Sequence, residues 1–222
     1  MSRLSSVSSA TRTPRPNAGT KGVARPEREA QIVEAGCRLF GERGYIGTSV
    51  ADVAESAGIS KPLIYNYFGS KDGLHVACVQ HASGVLVSEI ERTAASGTIG
   101  FARAAVTLDG MFRLLEPRPW LWRVVFDATA PREGEAQAWL AEHERRIIDF
   151  GREGVAELMH LSGNHDDLDI DAMRAAWESI FRSLVNWWLD HPGDSPEEMT
   201  QRCLRIFTTV FGELDLAGTA LG

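Results

Sequence analysis

Four side chains in the stretch 61–66 carry the donor, acceptor and apolar groups that recognise the edges of base pairs. Lys61 can donate to the acceptors of guanine, and Asn66 can pair in two places with an adenine edge. Pro62 or Leu63 can contact the methyl group of thymine. These groups can act on one duplex only if their spacing brings them to one accessible surface.

The spacing places these residues on the outer side of a helix. With about 100° of rotation per residue, Phe68 lies about 40° from Ile64, whereas Pro62 and Asn66 lie about 160° and 200° from it. Ile64 and Phe68 therefore predict an inward, apolar face. Asn66 is predicted to point away from the core, toward solvent or a DNA duplex.

A second group of residues suits the phosphate backbone rather than the bases. Hydroxyl, ammonium and backbone N–H donors that can contact phosphate oxygens belong to Thr48, Ser49, Tyr65, Tyr67 and Lys71. Aromatic residues at this spacing could instead fill a small core, which we expect for Phe68. The hydroxyl groups of Tyr65 and Tyr67 need water or phosphate, so a DNA contact is favoured for both. Away from this outer face, Lys61 and Lys71 would be ordinary surface lysines.

Three helices are needed to position these side chains. Apolar residues recur three and four apart in two segments before residue 60, namely Ile32, Ala35, Leu39 and Phe40 in the first, and Val50, Val53, Ala54 and Ala57 in the second. The stretch 41–44 ends the first helix, and Thr48 or Ser49 caps the second. Gly58 then permits a tight turn, and Ser60 caps the third helix. Two short helices joined by such a turn are typical of a helix-turn-helix, whose second helix enters the major groove.

The charge of the chain is divided unevenly. The net charge is −7, but residues 1–71 carry 10 Lys and Arg against 6 Asp and Glu, a balance of +4, and the remainder carries −11. This division favours a basic module that faces phosphate, attached to an acidic body. Residues 1–24 contain no acidic residue and few large apolar ones, so we expect a disordered basic arm there. The arm is either a solvated tail or a segment that lies along phosphates.

The order of the residues around these helices is itself informative. The stretch AGCRLFGERGYIGTSVADVAESAGISKPLIYNYFGSKDGL combines Thr48 before the second helix with the VADVA and AGIS blocks and an aromatic pattern before Lys71. On these residues, the segment 28–74 resembles the amino-terminal domain of TetR-type transcriptional regulators. The resemblance implies that residues 61–63 and 66 read bases and that Thr48, Tyr65, Tyr67 and Lys71 hold phosphates. Many relatives carry a small polar pair such as Gly-Thr in place of Pro62 and Leu63, so their base preference does not transfer.

Beyond residue 72 the sequence predicts further helices and no strands, because no segment shows sustained alternation of period two. A long helix from about 71 to 95 would join the DNA-facing module to the rest of the chain, and further helical segments are expected at 101–115, 118–130, 135–161, 171–191 and 196–215. The expected fold is therefore all-α with about nine helices. With the resemblance, it has three parts: an arm at 1–24, a helix-turn-helix domain at 25–72, and an effector-binding and dimerisation domain at 73–218.

The eighth and ninth helical segments carry wider apolar bands than one core requires. A twofold four-helix interface between two copies would cover them, and burial by other helices of the same chain is the alternative. The expected dimer contacts are Leu184, Trp188, Phe207 and Phe211. The resemblance also implies a homodimer, which would present two reading helices to a palindromic operator of double-stranded DNA.

Aromatic and charged residues are mixed in the middle segments, as in a ligand pocket that is apolar with a few placed polar groups. The resemblance implies that a small-molecule effector lies among the fifth to eighth helices. The expected contacts are Phe112, Trp120, Arg123, Phe126, His143, Trp177 and Phe181. The alternative for each aromatic residue is a place in the core, and for His143 it is a solvent-facing place on a helix.

The sequence lacks the motifs of common enzymes and metal sites. The run 160–171 leads into a calcium-like spacing of carboxylates, but Ala172 stands where that loop needs glycine, so an acidic loop between helices is expected. Ile147 breaks the HExxH pattern that begins at His143, and the 3 isolated cysteines form no zinc or disulfide pattern. We expect no cofactor and no metal ion. No apolar run approaches about 18 residues, so a cytoplasmic protein without membrane contact is expected.

These expectations favour a ligand-responsive DNA-binding regulator of transcription. As a dimeric repressor, it would leave its operator when a largely apolar small molecule binds. Two alternatives stay open. A helical enzyme that carries a DNA-binding module would turn over a compound bound to it, whereas a DNA-binding structural protein without an effector would have a pocket too small for any ligand.

Overall fold

The computed structural model describes residues 23–98, 100–131 and 133–211, except for the side chains of residues 101, 144, 210 and 211. This part of the chain contains nine α-helices. The helices are α1 (Arg25–Gly47), α2 (Val50–Ser56), α3 (Lys61–Phe68), α4 (Lys71–Ala94), α5 (Gly100–Leu115), α6 (Trp120–Val125), α7 (Glu135–Leu161), α8 (Asp167–Leu189) and α9 (Pro196–Phe211). None of the described residues forms a β-strand. The predicted all-α fold is thereby confirmed. The predicted basic arm lies outside the described residues, except for positions 23 and 24.

Helices α1, α2 and α3 form a small unit, called the head below, and their apolar faces meet as the spacing predicted. Ile32, Cys37 and Phe40 of α1 are at most 1% exposed, as are Val53 of α2 and Ile64 of α3. The regular geometry of the first helix ends within the predicted stretch 41–44, because Gly44 has φ 71° and ψ 170°. A separate helical turn follows and reaches residue 47.

The two short helices of the head begin in different ways. Ser49 and Asp52 form a capping box: the Ser49 hydroxyl accepts from the Asp52 N–H at 3.2 Å, and the Asp52 carboxylate accepts from the Ser49 N–H at 2.9 Å. Ser60 occupies the N-cap position of α3, as predicted, but its side chain makes no capping hydrogen bond. Pro62 lies in the first turn of α3, where a residue without an N–H leaves no donor unpaired.

Helix α4 connects the head to the remaining helices, which form the body (α4–α9). The helix packs against α1 and α3 at one end of its length and against α5, α6 and α7 elsewhere. Its buried side chains run from Leu74 beneath the head to Thr93. Helix α6 also packs against α1, where Gly41 faces Trp120 so closely that an added Cβ would lie 2.7 Å from the Trp120 Cα atom. The head is therefore in contact with two helices of the body.

Two helix bounds in the body differ from the predicted ones. Helix α6 covers only residues 120–125, and α8 begins at Asp167, four residues before the predicted start. Asp166 caps α8 by accepting from the Leu168 and Asp169 N–H groups at 2.8 and 3.1 Å. Negative charge is favourable at a helix start, so much of the acidic run stabilises the start of α8, and the expected loop is shorter.

Among the described residues, no group of three or more His, Cys, Asp or Glu side chains could hold a metal ion. No helix within those residues has the length and apolar content to span a bilayer.

Candidate nucleic-acid interface and ligand cavity

Helix α3 has the orientation that its sequence spacing predicted. Ile64 is 0% exposed and Phe68 is half-buried against the core of the head. Lys61, Pro62 and Asn66 are exposed on the opposite side. The outer face of α3 is thus free to enter a groove, and the base-reading roles of these residues stay predictions.

The tyrosines and basic residues around α3 form a second, flanking surface. Tyr65 is 42% exposed, and the Lys61 ammonium group lies 5.8 Å from the centre of its ring. Tyr67 is half-buried, and the Arg25 guanidinium group lies 5.2 Å from its ring centre. Arg25 directly follows the expected arm in the sequence, and the fold brings it beside α3. These contacts hold positive charge beside the two tyrosine rings.

The predicted phosphate contact of the Thr48 side chain does not fit its position. Thr48 is 2% exposed, and its hydroxyl group points to the Leu39 and Gly44 carbonyl oxygens at 3.0 and 2.9 Å, to which it donates. A hydroxyl group enclosed in this way fixes the end of α1 to the start of α2 and cannot reach a phosphate. Ser49 is exposed, but its hydroxyl group donates to Asp52 at 2.7 Å. A phosphate at this helix start would therefore have to compete with the Asp52 carboxylate.

Lys71, at the start of α4, lies on a cluster of polar and aromatic groups under the head. Its ammonium group is 4.2 Å from the centre of the Tyr45 ring. The Tyr45 hydroxyl group donates to Asp72. Burial, followed by the hydrogen bond and the charge of Asp72, raises the pKa of Tyr45 to about 12, so this tyrosine stays protonated. Lys71 itself is half-buried and keeps one side toward solvent.

His75 lies below this cluster and is 3% exposed. Its ring meets the rings of Phe40 and Tyr45 edge-on, with centres 5.1 and 4.9 Å apart. Burial lowers the pKa of His75, and this effect is larger than the opposing attraction of Asp127 and Asp72. The imidazole Nε2 atom has no hydrogen-bond partner among the described residues. The side chain is therefore neutral at pH 7 and packs as an aromatic group.

The body contains two adjacent cavities. The first, of about 150 Å³, lies between α4, α5, α7 and α8. The second, of about 220 Å³, lies between α4, α6, α7 and α8, and Met111 of α5 also lines it. Both are lined by Ile90, Ile147, Glu178 and Phe181, so the two spaces meet at a common wall. Most of the other lining side chains are apolar. This pair of cavities is the candidate ligand site, and we refer to it as the double cavity.

The predicted effector contacts divide into two groups. Phe181 lines both cavities, Trp177 lines the first, and Phe126 and His143 line the second. His143 is 7% exposed, with its Nδ1 atom 2.9 Å from the Trp139 carbonyl oxygen, so the solvent-facing alternative is wrong.

Three predicted effector contacts lie outside the lining of the double cavity. Phe112 is buried in the core, and Trp120 packs against α1, so neither offers a surface to a ligand there. Arg123 is exposed and donates to the Leu189 carbonyl oxygen at 3.2 Å. The prediction that these three residues contact the effector is therefore wrong for this cavity.

The predicted effector contacts did not include the charged groups that line the double cavity. Glu178 pairs with Arg174 at 3.1 Å and with Arg182 at 2.7 Å, and Arg174 also pairs with Asp171 at 3.1 Å. Arg103 pairs with Glu157 at 3.0 Å across α5 and α7. The charged residues of α8 are spaced four apart in the sequence, so they share a helix face with Trp177 and Phe181. This spacing could have indicated that they line the same cavity. Because the charges are paired, the walls suit a ligand that is largely apolar.

The predicted dimer contacts are only partly available to a second copy of the chain. Trp188 is 4% exposed and packs on Phe112 with ring centres 5.0 Å apart, and Phe207 is 2% exposed and packs on Trp177 at 4.4 Å. Burial within one chain removes both from a dimer surface, which corrects that expectation. Leu184 is half-buried, and the Phe211 side chain lies outside the described residues.

Two exposed apolar residues lie on the same two helices. Trp187 of α8 is 41% exposed and Ile206 of α9 is 39% exposed. Sequence reasoning did not select either, because helical spacing alone does not tell which part of a broad apolar band faces the core.

The fold and the geometry define a helix-turn-helix protein whose head stands on a helical body with an apolar double cavity. Residues 32–78, which comprise most of the head and the start of α4, match the family model described as bacterial regulatory proteins of the tetR family. Over these residues the chain is similar to the TetR family.

Known proteins with similar sequences are transcriptional regulators. The HTH-type transcriptional activator FasR of Mycolicibacterium smegmatis is 28% identical over 130 residues, which are 57% of this chain and 59% of FasR. The HTH-type transcriptional regulator BetI of Rhizobium meliloti is 27% identical over 127 residues, which are 55% of this chain and 61% of BetI. The chain thus spans about three fifths of the length of these curated relatives.

Solved structures share the fold at low sequence identity. FadR of Bacillus subtilis, determined in complex with stearoyl-CoA, has a TM-score of 0.67 and 18% identity, over 82% of this chain and 98% of FadR. AibR, determined in complex with isovaleryl coenzyme A and operator DNA, has a TM-score of 0.66 and 20% identity, over 81% of this chain and 97% of AibR. At these identities the likeness concerns the fold alone.

Proposed function

We propose that this protein is a ligand-responsive transcriptional regulator that binds operator DNA through α3 and a largely apolar small molecule in the double cavity. The outer face of α3 is the observation that carries the proposal. Ile64 is fully buried while Lys61, Pro62 and Asn66 are exposed on the opposite side, as base recognition in a major groove requires. Tyr65, Tyr67 and Lys71 flank this face and supply the phosphate contacts.

The regulator acts as a homodimer in this proposal. Two heads related by a twofold axis bind two half-sites of a palindromic operator, one helical turn or a multiple of it apart. Trp187 and Ile206, both exposed, and the half-buried Leu184 support an interface through α8 and α9. These residues replace Trp188 and Phe207, which the core of the single chain already covers.

The ligand in this proposal has an apolar chain that lies in the double cavity. The cavities of about 150 and 220 Å³ together reach the lower end of the usual size of ligand pockets, roughly 300–1,000 Å³. They hold an acyl chain and leave a large polar head group outside. FadR and AibR, which share this fold, were determined with acyl-CoA compounds, and we extend that chemistry to this chain.

Binding of the ligand and of DNA are coupled in this proposal. A ligand that prefers the arrangement unable to bind DNA shifts the population of molecules toward that arrangement, and operator DNA then weakens ligand binding by the same factor. Helix α4 reaches both sites, since Leu74 lies under the head whereas Ser83, Leu86 and Ile90 line the second cavity. The regulator is a repressor in this scheme. The similar protein FasR is an activator, so activation is the alternative outcome that the test below must distinguish.

Selection of bound fragments from random double-stranded DNA tests the DNA part of the proposal. The expected result is an inverted repeat, and the control is an oligonucleotide with a single half-site, which a dimer binds far more weakly. A selection that enriches no sequence contradicts the proposal.

A reporter gene placed behind the recovered operator shows whether the protein represses or activates transcription. Transcription falls for a repressor and rises for an activator.

Titration with acyl-CoA compounds tests the ligand part. Stearoyl-CoA and isovaleryl-CoA are added to the protein–operator complex, with coenzyme A alone as the control. Release of the operator and a change in tryptophan fluorescence are expected for at least one acyl compound, because Trp122 and Trp177 line the double cavity. If neither acyl compound acts differently from coenzyme A, the acyl-chain assignment is wrong.

A further inference from the structure

The loop that follows α6 holds the backbone of the head through one carboxylate. The Asp127 Oδ2 atom accepts from the Tyr45 N–H group at 2.5 Å. The other carboxylate oxygen accepts from the backbone N–H and the hydroxyl group of Thr129, both at 2.8 Å. The Thr129 hydroxyl oxygen in turn accepts from the Ile46 N–H group at 3.4 Å. Residues 127–129, called the latch below, thus contact two successive N–H groups of the head.

These N–H groups need a partner outside their own helix. The chain leaves helical geometry at Gly44, with φ 71° and ψ 170°, so the turn that follows starts like a new helix. The first N–H groups of a helix have no carbonyl partner within it. The approach is so close that a Cβ atom on Gly44 would lie 2.7 Å from the Thr129 hydroxyl oxygen. The latch therefore fits a backbone shape that only glycine readily allows.

The head segment that the latch holds leads directly into the helix-turn-helix. Ile46 is followed within three residues by Ser49, the N-cap of α2. Thr48 links the same segment to the end of α1 through the Leu39 and Gly44 carbonyl oxygens. A movement of residues 45–46 therefore moves the start of α2, and with it the position of α3.

The other end of the latch adjoins the double cavity. Val125 and Phe126, the two residues before Asp127, line the second cavity. The Phe126 ring packs on Trp122 with ring centres 4.3 Å apart, and the Arg182 guanidinium group lies 4.7 Å from its centre. A ligand in the second cavity would contact Phe126, whose backbone continues directly into Asp127.

We propose that Asp127 is a positioning residue that couples the double cavity to the DNA-binding head. With the cavity empty, its carboxylate holds the Tyr45 N–H group and sets the start of α2 for DNA binding. With the cavity occupied, the movement of Phe126 weakens this hydrogen bond and lowers the affinity for the operator. The inference rests on the proposed function, because it assumes that the head binds DNA and that the cavity holds a ligand.

The first test removes the carboxylate. In Asp127→Ala, amide hydrogen exchange at Tyr45 and Ile46 is expected to accelerate, and operator affinity to fall on the order of tenfold. Asp127→Asn keeps one acceptor oxygen and is expected to lie between the wild type and the alanine variant. Unchanged exchange and unchanged affinity in Asp127→Ala overturn the proposal.

The second test fills the cavity without any ligand. Leu140 of α7 also lines the second cavity, and Leu140→Trp pushes into it as a ligand would. The expected result is faster exchange at Tyr45 and weaker operator binding, with no further loss when Asp127→Ala is added. Leu168→Trp is the matched control, because Leu168 is 81% exposed at the start of α8. If Leu140→Trp does not fold, Leu140→Phe takes its place.

The outcomes of the double variant separate the possibilities. Losses of affinity that add independently mean that the cavity acts on the head by another route, which overturns the proposal. A folded cavity-filling variant with unchanged exchange and affinity overturns it as well. If the wild-type protein binds no operator at all, the proposed function fails, whereas amide exchange at Tyr45 and Ile46 still decides whether the cavity acts on the latch.

Discussion

Replacement of Lys71 by alanine is expected to change the salt dependence of operator binding. Each phosphate contact contributes about 0.9 to the slope of log affinity against log salt concentration. A dimer loses two such contacts in Lys71→Ala, so the slope becomes shallower by about 1.8. Between about 50 and 200 mM salt, the ratio of wild-type to variant affinity therefore shrinks about tenfold. The half-buried position of Lys71 above the Tyr45 ring fixes the ammonium group near the head, where this contact is possible.

Replacement of Asn66 by alanine is expected to act on sequence preference and not on the salt slope. Asn66 is exposed on the outer face of α3, so its removal leaves the core of the head intact. A two-pronged contact to adenine is worth about 1–3 kcal/mol of discrimination in each half-site. The variant should therefore accept other bases at one position per half-site, with roughly 5- to 150-fold less discrimination there.

Fluorescence anisotropy with the selected operator and with its single-base variants, at several salt concentrations, measures both effects. Arg145→Ala is the control for loss of one positive charge, because Arg145 is exposed on α7 and pairs with Glu142. Its salt slope should equal that of the wild type. The assignment of roles is refuted if Lys71→Ala alters base preference as strongly as Asn66→Ala does. It is also refuted if Asn66→Ala alters the slope alone.

Three further predictions concern stability. Gly41→Ala places a Cβ atom 2.7 Å from the Trp120 Cα atom, so the free energy of unfolding in a urea titration should fall by about 1–3 kcal/mol, and an unchanged midpoint would contradict the packing. Gly84→Ala meets no atom within 4 Å inside α4 and should instead raise it by about 0.5–1 kcal/mol. Burial lowers the pKa of His75, so below about pH 6.5 the unfolded chain binds the additional proton and stability falls as the pH decreases. This loss should be smaller in His75→Gln, measured between pH 7.5 and 5, and an equal loss in both proteins would argue against the assignment.

The head could be predicted from the sequence in detail because its organisation is local. Residues four apart share a helix face, which placed Ile64 inward, and the rotation per residue placed Asn66 outward. The capping box at Ser49 depends on residues only three apart. Thr48 shows the limit of this reasoning. A threonine hydroxyl group can contact a phosphate, but the Thr48 hydroxyl group donates instead to carbonyl oxygens near the end of α1.

The amino-acid sequence by itself determined the helices, the direction of α3 and the apolar character of the bands on α8 and α9. Helical spacing fixes which residues share a face but does not say what covers that face. Only the tertiary structure decided that Trp188 and Phe207 are covered within the chain while Trp187 and Ile206 are left exposed. The contact of Asp127 with Tyr45 likewise joins residues 82 positions apart, and no local pattern contains it, because it exists only once α6 has packed against α1.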